Sequence, residues 1–218
     1  MLNCIDVSGW NDTGAVEAFI RANDVKCVMI KVSEGASWRD KAAKHFAAIA
    51  NDLSCEIMFY HYARPDLNRE PKYEVNNFIE AVKDIYEYCG LDKPVGMVID
   101  WEDKSIGHEI WLKNFVKLLT AEIKGNPVLY ISESNVAGAG RQLDVFEVGL
   151  WVASWGKKSD KLNVKPWEVW AFHQHSTEPL DQSVFNGDEK QLKKYMCYRP
   201  AVEYRCGCGK DCTCCSGK

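Results

Sequence analysis

The stretch VGMVIDWE, residues 95–102, joins an apolar run to two closely spaced carboxyl groups. The apolar beginning predicts a buried strand, and Asp100 and Glu102 stand where that strand ends. Residues i and i+2 of a strand point to the same face, roughly 6–7 Å apart along the chain. The stretch therefore predicts a buried strand that delivers two carboxyl groups to one side of its carboxyl end.

Asp100 and Glu102 have the residue types and spacing that acid–base chemistry requires. Each negative charge opposes ionisation of the other, and partial burial raises the pKa of both carboxyl groups further. One of the two can then stay protonated near neutral pH and act as a general acid. The alternative is an exposed strand end, whose acids pair with Lys104 or cap a helix that begins near Ile106. On the pair alone, both interpretations stay open.

Outward from this stretch, short apolar runs alternate with longer amphipathic segments. The runs predict strands over residues 2–8, 27–33, 56–63, 95–102, 128–132, 150–155 and 169–175. The segments between the first five runs predict helices near residues 13–23, 38–52, 69–89 and 106–124. Strands that alternate with helices of this length indicate crossover units and a parallel sheet.

The rhythm changes after Trp151, where the segments become shorter, richer in Trp and His, and no longer separated by a long helix. This change predicts a barrel that is α/β in its first part and mostly β at its end. An open doubly wound sheet is the alternative. Its nucleotide-binding version is disfavoured, because the first strand–helix turn, residues 8–12, contains no glycine-rich phosphate loop.

Length and composition set further bounds. The 218 residues suit one domain, which we place at residues 1–197, followed by a Cys-rich tail at residues 198–218. A hydrophobic content of 46% with 27% charged residues is typical of a globular protein. The net charge of −4 gives no general attraction to nucleic acid or anionic membranes. No apolar run approaches the roughly 18 residues of a membrane span, so we expect neither nucleic-acid binding nor membrane insertion.

The N-terminus, MLNCID, runs straight into the first predicted strand. It lacks a basic segment followed by an apolar one, so we expect no signal peptide. A chain trimmed of its signal would look the same. The expected place of synthesis is the cytoplasm, with release by a route other than the standard secretion pathway.

Ten cysteines fall into two groups. Those of the body sit mostly beside apolar neighbours, which favours buried reduced thiols: Cys4, Cys27, Cys55, Cys89 and Cys197. The tail contains the other five, Cys206, Cys208, Cys212, Cys214 and Cys215, enough thiolates for one tetrahedral zinc or another soft metal. Disulfides and a disordered tail are the alternatives.

Acids and aromatic residues gather at the predicted strand ends, where the active sites of such barrels lie. The strand ends carry Ser8, Lys31, Ser33, Glu34, Tyr60 and Trp155 in addition to the candidates for the site, which are Asp6, His61, Tyr62, Asp100, Glu102, Tyr130, Trp151, Gln174 and Asp181. Aromatic rings stack on sugar faces, and carboxylates bind hydroxyl groups or transfer protons. This set predicts a sugar site. His173 and His175 share one face of their strand, opposite to Gln174, and packing or sugar contact is favoured there over a metal site.

Six motifs resemble, in order, those of glycoside hydrolase family 25. They are Asp6-Val7-Ser8-Gly9-Trp10-Asn11, Lys31-Val32-Ser33-Glu34-Gly35, Tyr60-His61-Tyr62, Asp100-Trp101-Glu102, Leu150-Trp151-Val152-Ala153 and Asp181-Gln182-Ser183-Val184-Phe185. They cover residues 2 to about 187. Asp12, Asp24 and Trp38 depart from the family pattern. None of these three touches the acids, so they bear on loop shape rather than on substrate class.

The resemblance implies a fold and an activity. The expected fold is an irregular TIM-like α/β barrel of five β/α units followed by three strands. The expected activity is that of a lysozyme, which hydrolyses the β-1,4 bond from N-acetylmuramic acid to N-acetylglucosamine in peptidoglycan, without a cofactor and without a metal in the catalytic site. A phage endolysin released through a holin is the favoured origin. The alternatives are a silent wall-binding module and a hydrolase of another N-acetylhexosamine polymer such as chitin.

The resemblance also implies residue roles. Glu102 would be general acid and then general base. Asp100 would orient and polarise the substrate's N-acetyl group, which attacks its own anomeric carbon, a recognised exception to the two-carboxylate scheme. Asp6 and Asp181 would complete an acidic floor. The residues expected to line the groove are Tyr62, Tyr130, Trp151, His61 and Gln174.

Overall fold

The computed structural model describes residues 1–102 and 104–201, which form nine strands and six α-helices. The strands are β1 (Leu2–Val7), β2 (Val25–Glu34), β3 (Trp38–Arg39), β4 (Glu56–Tyr62), β5 (Gly96–Trp101), β6 (Val128–Ser132), β7 (Gly149–Ala153), β8 (Phe172–Ser176) and β9 (Asp181–Phe185). The helices are α1 (Thr13–Ala22), α2 (Ala43–Asp52), α3 (Pro71–Cys89), α4 (Glu109–Ile123), α5 (Val136–Gly140) and α6 (Glu189–Leu192).

Eight of these strands close into a barrel. β1, β2, β4, β5, β6, β7 and β8 follow one another in parallel, and β9 closes the ring by antiparallel pairing with both β8 and β1. A closed sheet leaves no free edge in the ring, which removes the main liability of an exposed strand. The expected architecture of five β/α units followed by three strands is confirmed.

Side chains alternate between two layers along each strand, as the pleat requires. On β2, Val28 and Ile30 belong to the outer layer that packs against the helices, and Cys27 and Met29 belong to the barrel interior. The interior below the upper rim is filled with apolar side chains, among them Cys4, Met58, Val98, Phe172 and Phe185. A residue's parity, meaning whether it occupies an odd or an even position along its strand, therefore decides whether its side chain reaches the interior or the helices.

Local signals explain where the helices begin and end. The Asp12 side chain accepts a hydrogen bond from the Ala15 N–H (2.8 Å) and caps α1. Pro71 occupies the first turn of α3, where its missing N–H costs nothing, and Gly90 ends that helix with φ of 61°. Lys124 ends α4 in the same left-handed conformation.

One predicted element begins at a different residue, and one strand was not predicted. The helix predicted for residues 38–52 begins only at Ala43, because Trp38 and Arg39 pair with Glu34 and Ser33 as the short antiparallel strand β3. β9 is a strand that the apolar pattern did not predict, since its sequence DQSVF has only two apolar residues.

The described chain stays packed beyond residue 197. Tyr198 is buried, and it pairs with Val95 in an isolated antiparallel bridge. Its carbonyl accepts a hydrogen bond from the Tyr86 hydroxyl (3.2 Å). The division between a domain at 1–197 and a tail at 198–218 stays a prediction. Among the described residues, no helix is long and apolar enough to cross a bilayer.

Candidate active site

A cavity of about 480 Å³ opens at the carboxyl end of the barrel strands. Four carboxyl-bearing residues reach it from three directions: Asp6 from β1, Asp100 and Glu102 from β5 and the loop after it, and Asp181 from β9. The other lining residues are mostly aromatic or polar: Tyr60, Tyr130, Ser132, Asn135, Trp151, Ala153, Ser154, Trp155 and Gln174. Acidic and aromatic side chains therefore share one concave site, which is the usual form of a ligand pocket.

Strand register brings these side chains to one level. Asp100 on β5 pairs with Tyr130 on β6, and Tyr130 pairs with Trp151 on β7. Across the closing strand, Asp6 pairs directly with Asp181. Since neighbouring strands of the ring present these residues inward, side chains far apart in sequence meet in one layer.

Asp100 and Glu102 differ in their surroundings. Asp100 is buried, with 6% of its surface exposed, whereas Glu102 is exposed at the mouth of the cavity. Burial raises the pKa of Asp100 well above its usual range, repulsion by Glu102 and a hydrogen bond that protonated Asp100 donates to Glu102 raise it further, and the charge of Lys31 opposes the rise. One Asp100 oxygen, Oδ1, is buried without a hydrogen-bond partner among the described residues. A buried acceptor in this state favours a ligand that brings a donor.

Asp6 and Asp181 form a second acidic pair on the opposite side of the cavity. Burial raises the pKa of Asp6 to about 8, with repulsion from Asp181 adding to the rise and a hydrogen bond from Gln174 opposing it. The pKa of Asp181 is also raised, by burial. Asp6 is therefore mostly protonated near neutral pH, when it can donate a hydrogen bond as well as accept one.

Gln174 on β8 connects the acidic pair to the aromatic wall of the cavity, which is formed by Tyr130, Trp151 and Trp155. Its Nε2 donates to both carboxyl oxygens of Asp6, at 3.2 and 3.0 Å. Its Oε1 accepts from the Tyr130 hydroxyl and from the Trp155 indole N–H, both at 2.9 Å. Four hydrogen bonds on one buried amide fix its orientation and hold these three neighbours in place.

The aromatic wall is itself held rigidly. The rings of Tyr130 and Trp151 meet edge to face with centroids 4.6 Å apart, and the Trp151 indole N–H donates to Ser183 Oγ (3.0 Å). Trp155 is 64% exposed at the rim, while its indole nitrogen is anchored on Gln174. A flat, partly exposed ring above a polar floor offers a stacking surface for a sugar.

The comparisons with known proteins agree with this geometry. The family model described as glycosyl hydrolases family 25 matches residues 5–184, well over half of the chain. The chain belongs to glycosyl hydrolases family 25. It is therefore a glycoside hydrolase. A sequence comparison with curated proteins gives no match.

Several solved structures share the fold. A family 25 lysozyme from Aspergillus fumigatus is 19% identical with a TM-score of 0.74, over 89% of this chain and 98% of that one. A muramidase from Acremonium alcalophilum is 21% identical with a TM-score of 0.71, over 90% and 99%. The catalytic domain of the endolysin ply40, from bacteriophage P40 of Listeria monocytogenes, is 20% identical with a TM-score of 0.67, over 90% and 97%.

His61 of this family 25 hydrolase does not line the cavity, and its prediction as a groove residue was wrong. Its position on β4 has the opposite parity to Tyr60 and Tyr62, so its ring points to the helices. There it is fully buried, with Nδ1 2.8 Å from Ser33 Oγ and Nε2 2.9 Å from Glu74 Oε2. His61 is a structural residue that ties β4 to α3.

Tyr62 lies beside the cavity rather than in its lining. It is paired in register with Asp100, and burial together with the charges of Glu102 and Asp100 raises its pKa to about 12. The remaining predicted groove residues, Tyr130, Trp151 and Gln174, do line the cavity. The roles of all of them stay predictions.

The cavity also contains residues outside the predicted set. Tyr60 and Trp155 are strand-end aromatics of the kind that defined the set, and parity would have selected Tyr60 over His61. Asn135 comes from the short turn after β6, where no strand-end signal exists. Glu34 pairs with Lys31 and Arg64, both at 2.9 Å, as a structural ion pair.

The sequence offers two sets of possible metal ligands, the His173/His175 pair and the cysteines of the tail. His173 is satisfied by Ser159 Oγ (2.8 Å) and the Ser154 carbonyl (3.0 Å), and it points away from Gln174. Within residues 1–102 and 104–201, no group of three or more His, Cys, Asp or Glu side chains is arranged to bind a metal ion. The predicted zinc ligands of the tail, Cys206, Cys208, Cys212, Cys214 and Cys215, lie outside the described residues.

Proposed function

We propose that this family 25 hydrolase is an N-acetylmuramidase that cleaves the β-1,4 bond between N-acetylmuramic acid and N-acetylglucosamine in bacterial peptidoglycan. The observation that carries the proposal is the meeting of Asp6, Asp100, Glu102 and Asp181 in one aromatic-walled cavity. Family membership supports it, and so does the likeness to structures of a lysozyme, a muramidase and an endolysin.

In the proposed mechanism, Glu102 transfers the proton. Its exposed position at the mouth of the cavity allows its carboxyl group to reach a glycosidic oxygen of a bound chain. In the first step it donates its proton to that oxygen as the bond to the anomeric carbon breaks. In the second step the resulting carboxylate takes a proton from the water that attacks the same carbon.

In the proposed mechanism, Asp100 holds the N-acetyl group of the substrate, which is the nucleophile. An N-acetyl N–H would supply the hydrogen bond that the buried Oδ1 atom lacks within the described chain. A negative charge on Asp100 would polarise the amide, so that its carbonyl oxygen bonds to the anomeric carbon as the leaving group departs. Water then opens this cyclic intermediate, which gives retention of configuration.

Asp6 and Asp181 bind sugar hydroxyl groups in the proposed mechanism. Because Asp6 is mostly protonated near neutral pH, it can donate to one hydroxyl oxygen while Asp181 accepts from another. Tyr130, Trp151 and Trp155 would pack against the sugar faces.

The test combines product analysis with a matched pair of variants. Wild-type protein is incubated with purified peptidoglycan, and the soluble muropeptides are analysed by mass spectrometry after borohydride reduction. Reduced muramic acid ends are the expected product. Glu102→Gln should keep the circular dichroism spectrum and lose at least about 100-fold in activity, the usual contribution of a general acid. Glu87→Gln, at an exposed position on α3, should behave as wild type.

Other outcomes would assign a different function. Reduced N-acetylglucosamine ends, or release from chitin instead of peptidoglycan, would assign another N-acetylhexosamine polymer. Pelleting with cell walls without any product would indicate a silent binding module. Wild-type lysis by Glu102→Gln would contradict the proposed mechanism.

We also propose a phage endolysin role, with release from the host cytoplasm through a holin. The phage relative in the comparison motivates this proposal. Expression in a host with a wall of the cleaved type should cause lysis only when a holin is co-expressed. Lysis without the holin would contradict the proposed route of release.

A further inference from the structure

A second cavity lies beside the active site. It has a volume of about 420 Å³, and its lining comes from the segments that follow β6 and β7: Glu133, Ser134, Ala137, Lys157 and Asn163. The same two segments contribute four residues to the active-site cavity: Ser132, Asn135, Ser154 and Trp155. A volume of this size is enough for a small ligand or for one part of a larger one. The two cavities therefore share a wall.

Two hydrogen bonds cross the wall between the cavities. Ser132 Oγ, on the side of the active site, lies 3.1 Å from Ser134 Oγ on the other side. Ser154 Oγ, also on the side of the active site, donates to Glu133 Oε2 in the second cavity (2.7 Å). Ser132 and Ser154 are both partly exposed. A substituent on a sugar in the active-site cavity therefore needs to pass only two small hydroxyl side chains to reach the second cavity.

The two cavities present different charges to a ligand. Four carboxyl-bearing residues line the active-site cavity, and none of its described lining residues is Lys or Arg. In the second cavity, Glu133 and Lys157 form an ion pair. Glu133 is the inner member, with 16% of its side chain exposed, and Lys157 is the outer member, with 38% exposed. A ligand that enters the second cavity therefore meets the cation first.

The hydrogen bonds of this ion pair leave donors, rather than acceptors, for a ligand. Glu133 accepts from Lys157 Nζ, from the Asn163 N–H (2.7 Å) and from Ser154 Oγ. Burial acts to raise the pKa of Glu133, but these three donors together lower it to about 2. Lys157 has three N–H donors, and within the described residues only Glu133 accepts from them. The ammonium can therefore donate to a carboxylate of the ligand.

We propose that the second cavity binds the anionic peptide stem of peptidoglycan, with Lys157 as the residue that binds a stem carboxylate. This inference rests on the proposed function, since N-acetylmuramic acid carries the stem on its lactyl group. The second residue of the stem is a D-glutamate linked through its side chain, and its α-carboxyl group is free in some walls and amidated in others. A free carboxylate is repelled by the acidic active-site cavity and attracted by Lys157.

The opposing interpretation is a purely structural role, in which the ion pair of Glu133 and Lys157 only holds the segment that carries Trp155. Both roles predict some loss of activity after substitution of Lys157. Only the binding role predicts that the loss depends on the charge of the stem.

The experiment measures kcat/KM for two tetrasaccharides of alternating N-acetylglucosamine and N-acetylmuramic acid. One carries L-alanyl-D-isoglutamate as its stem, and the other carries the neutral amide, L-alanyl-D-isoglutamine. We expect the wild type to prefer the charged stem roughly 3- to 10-fold, as for a partly exposed ion pair. Lys157→Met should abolish this preference. Lys158→Met, at the next position, changes the same charge outside the cavity and should keep the preference. An equal loss for both stems in Lys157→Met would show the structural role and overturn the inference.

A second readout does not depend on turnover. Nitrogen-15 NMR follows the backbone N–H groups of Ser134, Lys157 and Asn163 while N-acetylmuramoyl-L-alanyl-D-isoglutamate is added. We expect these signals to shift in the wild type and to stay in place in Ala137→Trp, whose larger side chain fills the cavity. Unmoved signals in the wild type would overturn the inference. If the wild type cleaves neither tetrasaccharide, the proposed function fails, and the titration still decides whether the second cavity binds the stem. If Lys157→Met does not fold, Ala137→Trp decides the kinetic test, since it should also remove the preference for the charged stem.

Discussion

Asp6→Asn is expected to make the protein more stable at neutral and alkaline pH. Asp6 faces Asp181 across the β1–β9 pair, and burial raises its pKa to about 8, from 3.8 for an unperturbed aspartate. An asparagine has nearly the same shape. Its oxygen can still accept from Gln174, and its amide group can donate to Asp181. The substitution therefore removes a titration and keeps most of the contacts.

The sign and size follow from proton linkage. Between pH 4 and 8 the folded state holds a proton on Asp6 that the unfolded state has lost, so this residue makes stability fall as the pH rises. A difference of about four pH units, at 1.36 kcal/mol per unit, sets an upper limit of roughly 6 kcal/mol at pH 8 and above. Relaxation around an ionised buried group and entry of water reduce this limit, so we expect a gain of about 3 kcal/mol in Asp6→Asn at pH 8. The gain should vanish below the unperturbed pKa of 3.8, where Asp6 is protonated in both states.

Urea denaturation at several pH values from 4 to 9 measures the free energy of unfolding of both proteins. The difference between them should grow from pH 4 to about pH 8 and then level off. Asp92→Asn, at an exposed position, is the control and should give a constant difference close to zero. Parallel curves for Asp6→Asn and the wild type would refute the reasoning, since they would show that Asp6 titrates alike in the folded and unfolded states.

Two further substitutions distinguish a residue that holds the cavity side chains in place from a residue that only stabilises the fold. Gln174→Leu removes four hydrogen bonds from the floor of the cavity, so we expect the free energy of unfolding to fall by about 2–4 kcal/mol in urea denaturation. We also expect a large loss of kcat/KM for muropeptide release. Unchanged kinetics would show that the orientation of Asp6 and Trp155 is unimportant. Glu74→Ala leaves His61 and the Arg64 N–H without their buried partner, so we expect the free energy of unfolding to fall by about 3–5 kcal/mol. At low temperature, kcat per folded molecule should stay near normal. A selective loss of kcat would show that the network of Glu74 and His61 takes part in the reaction.

The parallel part of the fold could be predicted because its signals are local and strong. Each buried parallel strand is an apolar run, and each crossover helix is amphipathic over several turns, so both periods stand out in the sequence. β9 lacks such a signal. It is held as a strand by antiparallel pairing with β8 and β1 at once, which is a property of barrel closure and not of its five residues.

The same distinction applies to the site. Asp100, Glu102 and Trp151 could be identified because they lie within, or directly after, strands with a strong apolar signal. The choice between His61 and its neighbours needed parity, since Tyr62 and His61 cannot both face inward on a strand with a period of two. Asn135 reaches the cavity through a turn after β6, and its approach depends on three-dimensional packing alone.

The apolar interior and the acidic rim of this barrel depend on each other. Met58, Val98 and Phe172 fill the space below the cavity and exclude water from the inner side of Asp6 and Asp100. That exclusion stabilises the barrel through burial of apolar surface, and it is also the largest cause of the raised pKa of both carboxyl groups. A smaller residue in this layer would admit water under the rim. It would then lower the stability of the barrel and, at the same time, move the pH range in which Asp6 holds its proton. Since one layer of side chains sets both properties, the acid–base behaviour of the site is determined as much by the packing beneath it as by the carboxyl groups themselves.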